Sequence, residues 1–290
     1  MRRVVPVALA AVFAAGCGGH GSRLPASLAR LYGYDRSTPL GFRDYGVVNH
    51  GYPVKIHDVS YASPGDGEVP AFLLVPPGKG PFPAVVFMHG SGGTRVDFLV
   101  PAAHFARRGF VALTVTSPFD RPPYPNPPNT LAGMRANERN WAQAIVELRR
   151  ALDLLAARRD VDGRRLGFVG FSLGAEEGAV LAGVDRRLRA VALLSGGGTL
   201  RFVPPLSASL RRRAAPLLAK MEPKNLMPYA RAPLLIEDGR FDKVIFRPRL
   251  ESLIRAAPTP KTVRWYDTGH AVFPSAQKET FAWLAARLRP

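Results

Sequence analysis

Cysteine is nearly absent from this chain: among 290 residues only Cys17 carries a thiol. A lone cysteine excludes an internal disulfide, and its place near the N-terminus leaves the rest of the sequence without a thiol nucleophile. Acidic residues are also scarce, 22 against 40 basic ones, for a formal charge of +18. Lysine adds little to that excess, since 33 of the basic residues are arginine and only 7 are lysine. The arginines are scattered as pairs (Arg107-Arg108, Arg149-Arg150, Arg158-Arg159, Arg164-Arg165) rather than gathered with interleaved aromatics. This spread argues against nucleic-acid recognition and reads as the solvated faces of an arginine-rich chain. Between the two stands adhesion to anionic lipid or cell-wall polymer, with Arg211-Arg212-Arg213 as its local support. The histidines (His20, His50, His57, His89, His104, His270) lack the close helical spacing of a zinc site, so no metal and no other cofactor is expected. No internal repeat or long low-complexity linker divides the chain. Its 47% hydrophobic content is enough for one large α/β core.

The apolar run from Val4 to Ala15 is too short to span a bilayer, and the positive Met1-Arg2-Arg3 precedes it. Ala14-Ala15-Gly16-Cys17 follows, then Gly18-Gly19-His20-Gly21-Ser22 as a flexible tether. The arrangement resembles a bacterial lipoprotein signal, which implies cleavage before Cys17 and lipidation of its thiol. Ala14 stands where such signals usually carry leucine, and ordinary secretion with cleavage nearby is the alternative. The expected organisation is a signal peptide over 1–16, a tether over 17–27 and one folded domain over 28–290. The expected location is outside the cytoplasm, membrane-anchored at the cell surface or in the envelope, or otherwise secreted.

Gly170-Phe171-Ser172-Leu173-Gly174 carries the most chemical information. Leu166 to Gly170 reads as a short buried strand, and the Ala/Gly/Leu-rich stretch Leu173 to Val184 as a closely packed helix. A small-x-Ser-x-small sequence between strand and helix is the context of a nucleophile elbow. Bulky residues at positions 170 and 174 would clash in so tight a turn. Leu234 to Asp242 is an apolar strand entering a G-x-x-D turn, and Val263 to His270 is another strand ending in a Gly-His loop. Ser172, Asp242 and His270 follow the chain order of α/β-hydrolase triads. Ala84 to Met88 continues into His89-Gly90-Ser91-Gly92-Gly93, whose glycines let backbone approach a substrate. Oxyanion donors are expected from Leu173 and from Ser91 or its neighbour Gly92. His89 is read as bracing that loop by hydrogen bonds rather than as a second catalytic histidine.

Elsewhere, Leu28 to Asn49 reads as irregular, and Val54–Tyr61 with Val69–Val75 as a hairpin. Leu99–Arg108 is a predicted helix and Phe110–Val115 the next strand, after which strands alternate with helices as in βαβ units. The helix from about Asn137 to Arg159 places Trp141, Ile145, Leu148, Leu152 and Leu155 on one apolar stripe, read as core. Its charged residues, Arg149 and Arg150 among them, fall mostly off that stripe. Arg189–Leu194 is a further strand, and Phe281, Leu284 and Leu288 mark a closing helix. The loops 118–128 and 195–231 leave the sheet's carboxyl edge, where ligands bind in this architecture. The first suits a pocket wall; the second is either a small lid or a surface crossover. Glu176 and Glu177 either shape the electrostatics of the pocket or face polar neighbours.

From about Val54 onward the chain resembles the dienelactone-hydrolase-like branch of the α/β-hydrolases, together with acetyl xylan esterase-like proteins. The matching pieces are Phe87 to Gly93, Asp160 to Gly174, Asp238 to Asp242 and Thr268 to His270. The resemblance implies an α/β-hydrolase fold with a mostly parallel sheet of about eight strands flanked by helices. Dienelactone hydrolases themselves use cysteine at the elbow; Ser172 in its place favours hydrolysis of a small-molecule ester by serine. Activity is then expected to rise with pH through roughly 6 to 7, as His270 loses its proton. Two alternatives use the same features differently. A prolyl-oligopeptidase-like peptidase shares the triad but usually carries an N-terminal propeller, for which the residues before Val54 are too few. A non-catalytic envelope lipoprotein retaining the fold has no physical need of the serine, the acid, the histidine and the glycine loop together.

Overall fold

In the computed structural model, residues 23–48, 51–65, 67–202 and 204–289 are described. The expected signal segment 1–16 and Cys17 lie outside them. The chain opens with α1 (Ala26–Leu31), then three antiparallel strands β1 (Arg43–Val47), β2 (Lys55–Ala62) and β3 (Glu68–Val75). Then follow β4 (Phe82–Met88), α2 (Leu99–Ala106), β5 (Val111–Val115), α3 (Leu131–Ala156), β6 (Val161–Phe171) and α4 (Leu173–Val184). After β7 (Leu188–Leu194) come three short helices, α5 (Ala208–Arg213), α6 (Ala215–Met221) and α7 (Pro223–Leu226). The chain closes with β8 (Leu234–Gly239), α8 (Arg247–Ala256), β9 (Lys261–Tyr266) and α9 (Phe273–Leu288).

The strands form one sheet in the order β1-β2-β3-β5-β4-β6-β7-β8-β9, parallel from β5 onward. Central strands such as β4 and β7 are apolar on both faces because helices cover both, the condition a parallel sheet imposes. One face packs against α3, α4 and the segment after β7; on the other, Phe87, Phe105, Phe110 and Phe281 form an aromatic cluster under α2 and α9. Consecutive connections leave β4 in one direction and β6 in the other, so these neighbours mark the switch in strand order. Their register pairs Met88 with Gly170, bringing the His89 loop and the Ser172 turn side by side.

Among the described residues the sheet has nine strands, one more than the expected figure of about eight. The extra one, β1, arises in the stretch read as irregular; every residue of it is exposed, so it shows no apolar alternation. Helix α1 starts at Ala26 and docks through Leu28, followed by fully buried Tyr32. The long helix α3 starts at Leu131 rather than Asn137. Thr130 caps it by accepting a hydrogen bond from Gly133 N–H (3.1 Å), and Gly133 lets the first turn pass the Pro128 carbonyl. Its predicted apolar stripe is buried core. Glu147 and Arg150, expected off that stripe, are buried too. Arg150 is only 1% exposed, donating to the carbonyls of Thr38 (3.0 Å) and Pro39 (2.6 Å), while Glu147 takes Arg121 at 2.6 Å. The segment 28–42 folds over α3 and turns a nominally polar face into interior.

Candidate active site

Ser172 sits between β6 and α4 with φ 54° and ψ −114°, a conformation that side-chain-bearing residues rarely adopt. The turn is held by Ser172 N–H donating to Leu194 O (2.8 Å) and Gly174 N–H donating to His89 O (3.0 Å). A Cβ at position 170 would stand 2.1 Å from Gly174 O, and one at 174 would stand 2.3 Å from Met88 O. Those contacts are the physical reason for glycine at both flanks.

Three residues far apart in sequence form one hydrogen-bonded line. His270 Nε2 lies 2.9 Å from Ser172 Oγ, and His270 Nδ1 lies 2.7 Å from Asp242 Oδ2. Asp242 Oδ1 accepts the backbone N–H groups of Val244 (2.7 Å) and Ile245 (3.0 Å). Burial raises the affinity of Asp242 for a proton, but the bonds from His270, Val244 and Ile245 outweigh it and hold the carboxyl below its ordinary range. The His270 ring also packs against Phe171, with centroids 4.9 Å apart. Each of the three leaves the carboxyl end of a parallel strand, so the sheet itself brings them to one edge.

The glycine loop after β4 faces the same point. His89 is buried; its Nδ1 donates to Gly90 O (2.7 Å) and its Nε2 accepts Ser117 N–H (3.1 Å). Both ring nitrogens are thereby engaged, as expected of a bracing residue. Of the backbone donors anticipated here, Gly92 N–H is already given to Asp120 Oδ1 at 2.7 Å. Ser91 N–H and Leu173 N–H find no acceptor among the described residues. Asp120 is half-buried. Burial pushes its carboxyl up, opposed by the Gly92 N–H and the neighbouring His89. Its role was not legible in the sequence, where it stood inside a proline-rich loop with no motif around it.

A cavity of about 450 Å³ opens in front of Ser172 and is lined also by Ser91 and Leu173. Both long loops contribute to its wall, the first through Phe119 and Asn126, the second through Leu200, Phe202 and Met221. Helices α5 and α6 bury Leu210, Leu218 and Met221 in the core. A second cavity of similar size, lined by Gly67, Arg121, Asn140 and Gln143, contains none of the three aligned residues.

Glu176 and Glu177 differ from one another. Glu176 borders the site cavity, paired with Arg249 at 2.7 Å; burial pushes it up to about 7 against the pull of that guanidinium. Glu177 points away, accepting Ser117 Oγ–H (2.8 Å), and burial pushes it up to about 8, with Ser117 opposing. Among the described residues, no group of three or more His, Cys, Asp and Glu side chains is arranged to hold a metal ion.

The sheet order and the strand–Ser–helix elbow define an α/β-hydrolase fold. Within that class the chain belongs to the dienelactone hydrolase family, whose model matches residues 69–286. Among solved structures it is similar to the acetyl xylan esterase from Paenibacillus sp. R4, with a TM-score of 0.75. The two are 21% identical over 90% of this chain and 92% of that one. A dienelactone hydrolase from Anabaena variabilis aligns with a TM-score of 0.58 and 19% identity, over 81% of this chain and 99% of that one. Curated relatives include the rat mitochondrial acyl-coenzyme A thioesterase 2, 27% identical over 52% of this chain and 34% of that protein. The esterase FrsA of Enterobacter sp. is 27% identical over 55% of this chain and 36% of that protein. The chain thus spans about a third of the length of the curated relatives it matches.

Proposed function

We propose that this protein is a serine hydrolase that cleaves carboxylic esters through an acyl-enzyme intermediate. Neutral His270 accepts the Ser172 proton as Oγ attacks the ester carbonyl, and Asp242 fixes the imidazole tautomer and stabilises the imidazolium. Ser91 N–H and Leu173 N–H receive the negative charge that develops on the carbonyl oxygen. His270 then returns the proton to the leaving alcohol, and a water molecule repeats the cycle to release the acid and free Ser172.

The observation that carries this reading is the unbroken line from Ser172 Oγ through His270 to Asp242, at 2.9 and 2.7 Å, ending at a positive-φ elbow. A binding protein gains nothing from holding a serine in a strained turn against a histidine. Thioester cleavage is the second reading, favoured by the match to an acyl-coenzyme A thioesterase; it uses the same groups, with a thiol in place of the alcohol.

The N-terminal reading belongs to the proposal as well: export, with a lipid anchor on Cys17, supported by the sequence of residues 1–17 alone. Mass spectrometry of the membrane-fraction N-terminus tests it, and an unmodified Cys17 overturns it. For the activity, the test is turnover of p-nitrophenyl esters from acetate to palmitate, with an acyl-thioester alongside, by the protein and its Ser172→Ala variant. Loss of turnover in the variant supports the serine mechanism, and the preferred leaving atom decides between ester and thioester. Absence of turnover and of fluorophosphonate labelling in the folded wild type overturns it.

A further inference from the structure

We propose that Ser117, with Glu177 behind it, is a positioning residue for this reaction: it fixes the two backbone donors, Ser91 N–H and Leu173 N–H, relative to one another. This role rests on the serine-hydrolase reading given above.

The two donors belong to different elements. Leu173 opens α4, whereas Ser91 lies in the glycine loop after β4. Donors that stabilise an oxyanion must be preorganised, so their separation has to be set before substrate arrives. The bond from Gly174 N–H to His89 O, at 3.0 Å, ties α4 to the start of the loop. The direction of Ser91 N–H is decided one residue further on. Gly90 O and Ser91 N–H belong to one planar peptide, so a bond to that carbonyl aims the donor. Gly90 O accepts His89 Nδ1–H at 2.7 Å and Gly93 N–H at 3.0 Å.

Ser117, buried just after β5, controls both ends of this arrangement. Its backbone N–H donates to His89 Nε2 at 3.1 Å. A backbone N–H can only donate, so the ring proton stays on Nδ1, where Gly90 O needs it. Its hydroxyl donates to Glu177 Oε1 at 2.8 Å, across 60 residues of chain, and Glu177 lies one turn after Leu173 on α4. Its carbonyl accepts Asp120 N–H at 3.0 Å, which sets the turn that brings Asp120 Oδ1 to Gly92 N–H at 2.7 Å. Gly90 and Gly92 flank Ser91, and the bonds that hold both lead back to Ser117. The hydroxyl alone joins this assembly to α4 through a side chain; it also accepts Phe119 N–H at 3.4 Å, the weak cap of a short turn.

The test uses the full-length protein with p-nitrophenyl acetate as substrate. Phenylboronic acid serves as inhibitor, because its tetrahedral adduct on Ser172 presents an oxygen to the two donors. Ser117→Ala and Glu177→Leu each remove one side of the bond, while Glu177→Gln keeps an acceptor. Each of the first two is expected to lower kcat on the order of tenfold, with KM within about twofold of wild type. Boronate affinity should fall by a similar factor. The double variant should be no worse than the more impaired single one, because both lose the same bond. Glu177→Gln should restore kcat and boronate affinity to near wild type. All values are taken per folded molecule, with melting curves as the check; if Glu177→Leu does not fold, Ser117→Ala and Glu177→Gln decide.

A Ser117→Ala protein that melts earlier but keeps wild-type kcat and boronate affinity reduces the hydroxyl to a cap, and the proposal fails. It fails equally if kcat falls without a matching loss of boronate affinity, or if Glu177→Gln is as impaired as Ser117→Ala. Fluorophosphonate labelling keeps the two readings apart. If wild type is labelled and Ser172→Ala is not, a failed Ser117 test leaves the serine mechanism standing; if the wild type is not labelled, the serine mechanism itself has failed.

Discussion

Two groups of buried charge in this molecule behave in opposite ways. Behind α3, Asp185 is nearly inaccessible, yet it accepts Arg187 at 2.7 Å and Arg149 at 3.1 Å. Burial pushes its carboxyl up, but the bonds and charge of Arg187 and Arg149 outweigh that, and it sits below its ordinary range. Around the Ser172 turn, Glu177 and Asp238 are also buried and have no ion pair among the described residues; burial pushes the first up to about 8 and the second up to about 7. Glu176 follows them to about 7 in spite of Arg249. Charges that are paired inside a protein hold structure in place; carboxyls that keep protons mark the ground where chemistry is tuned. Here a carboxyl flanked by two guanidiniums sits below its ordinary range on the structural side, and carboxyls pushed up by burial lie beside the proposed nucleophile.

This contrast can be broken in several ways. The largest effect is expected at the active side: Ser172→Ala should lower kcat by about 10³-fold or more while the melting temperature stays close to wild type. Next comes the structural side. Asp185→Ala takes the shared carboxylate from Arg149 and Arg187, which keep the Tyr32 carbonyl and Asp153, and the expected loss is about 1–3 kcal/mol of stability by denaturant titration. Activity per folded molecule should not change. An activity loss at conditions where the variant is fully folded would erase the distinction between the two regions.

Asp120→Ala releases the Gly92 N–H and so loosens the loop that presents Ser91. The expected fall in kcat is on the order of tenfold with KM little altered, smaller than the loss of an oxyanion donor itself. The mildest change is Glu177→Gln. A carboxyl whose affinity for its proton is raised on folding contributes stability that is whole below its unfolded range and is lost as pH rises through its folded value, here about 8. The glutamine variant cannot ionise, so it should match wild type near pH 5 and exceed it at pH 9 by on the order of 1 kcal/mol. Melting curves at the two values measure this, and a deficit at pH 9 would show Glu177 to be held in its charged form.

Much of the molecule could be read before any coordinates. The elbow announced itself because its glycines are demanded by contacts of 2.1 and 2.3 Å that no Cβ could survive. Asp242 and His270 stood out because apolar strands must end in turns, and their chain order matched a known arrangement. The stripe on α3 was legible because a helix repeats every 3.6 residues whatever it packs against. The strand β1 was not legible, because exposure on both faces removes the alternation that betrays a strand. Arg150 was misjudged for a related reason: a position is polar or interior only once something covers it, and the cover came from residues 28–42.

The sequence by itself determined the local chemistry, namely a serine in a strand-to-helix turn, an acid and a histidine after later strands, and a glycine loop with a bracing histidine. These follow from short-range sterics and periodicity. Only the tertiary structure decided which backbone donors remain free, because Asp120 reaches Gly92 across 28 residues of chain. It also decided which acids are pushed up and which are held down, because the affinity of a carboxyl for its proton depends on burial and on partners brought from distant strands. Neighbours along a chain are written in its sequence; neighbours in space exist only once the sheet has assembled.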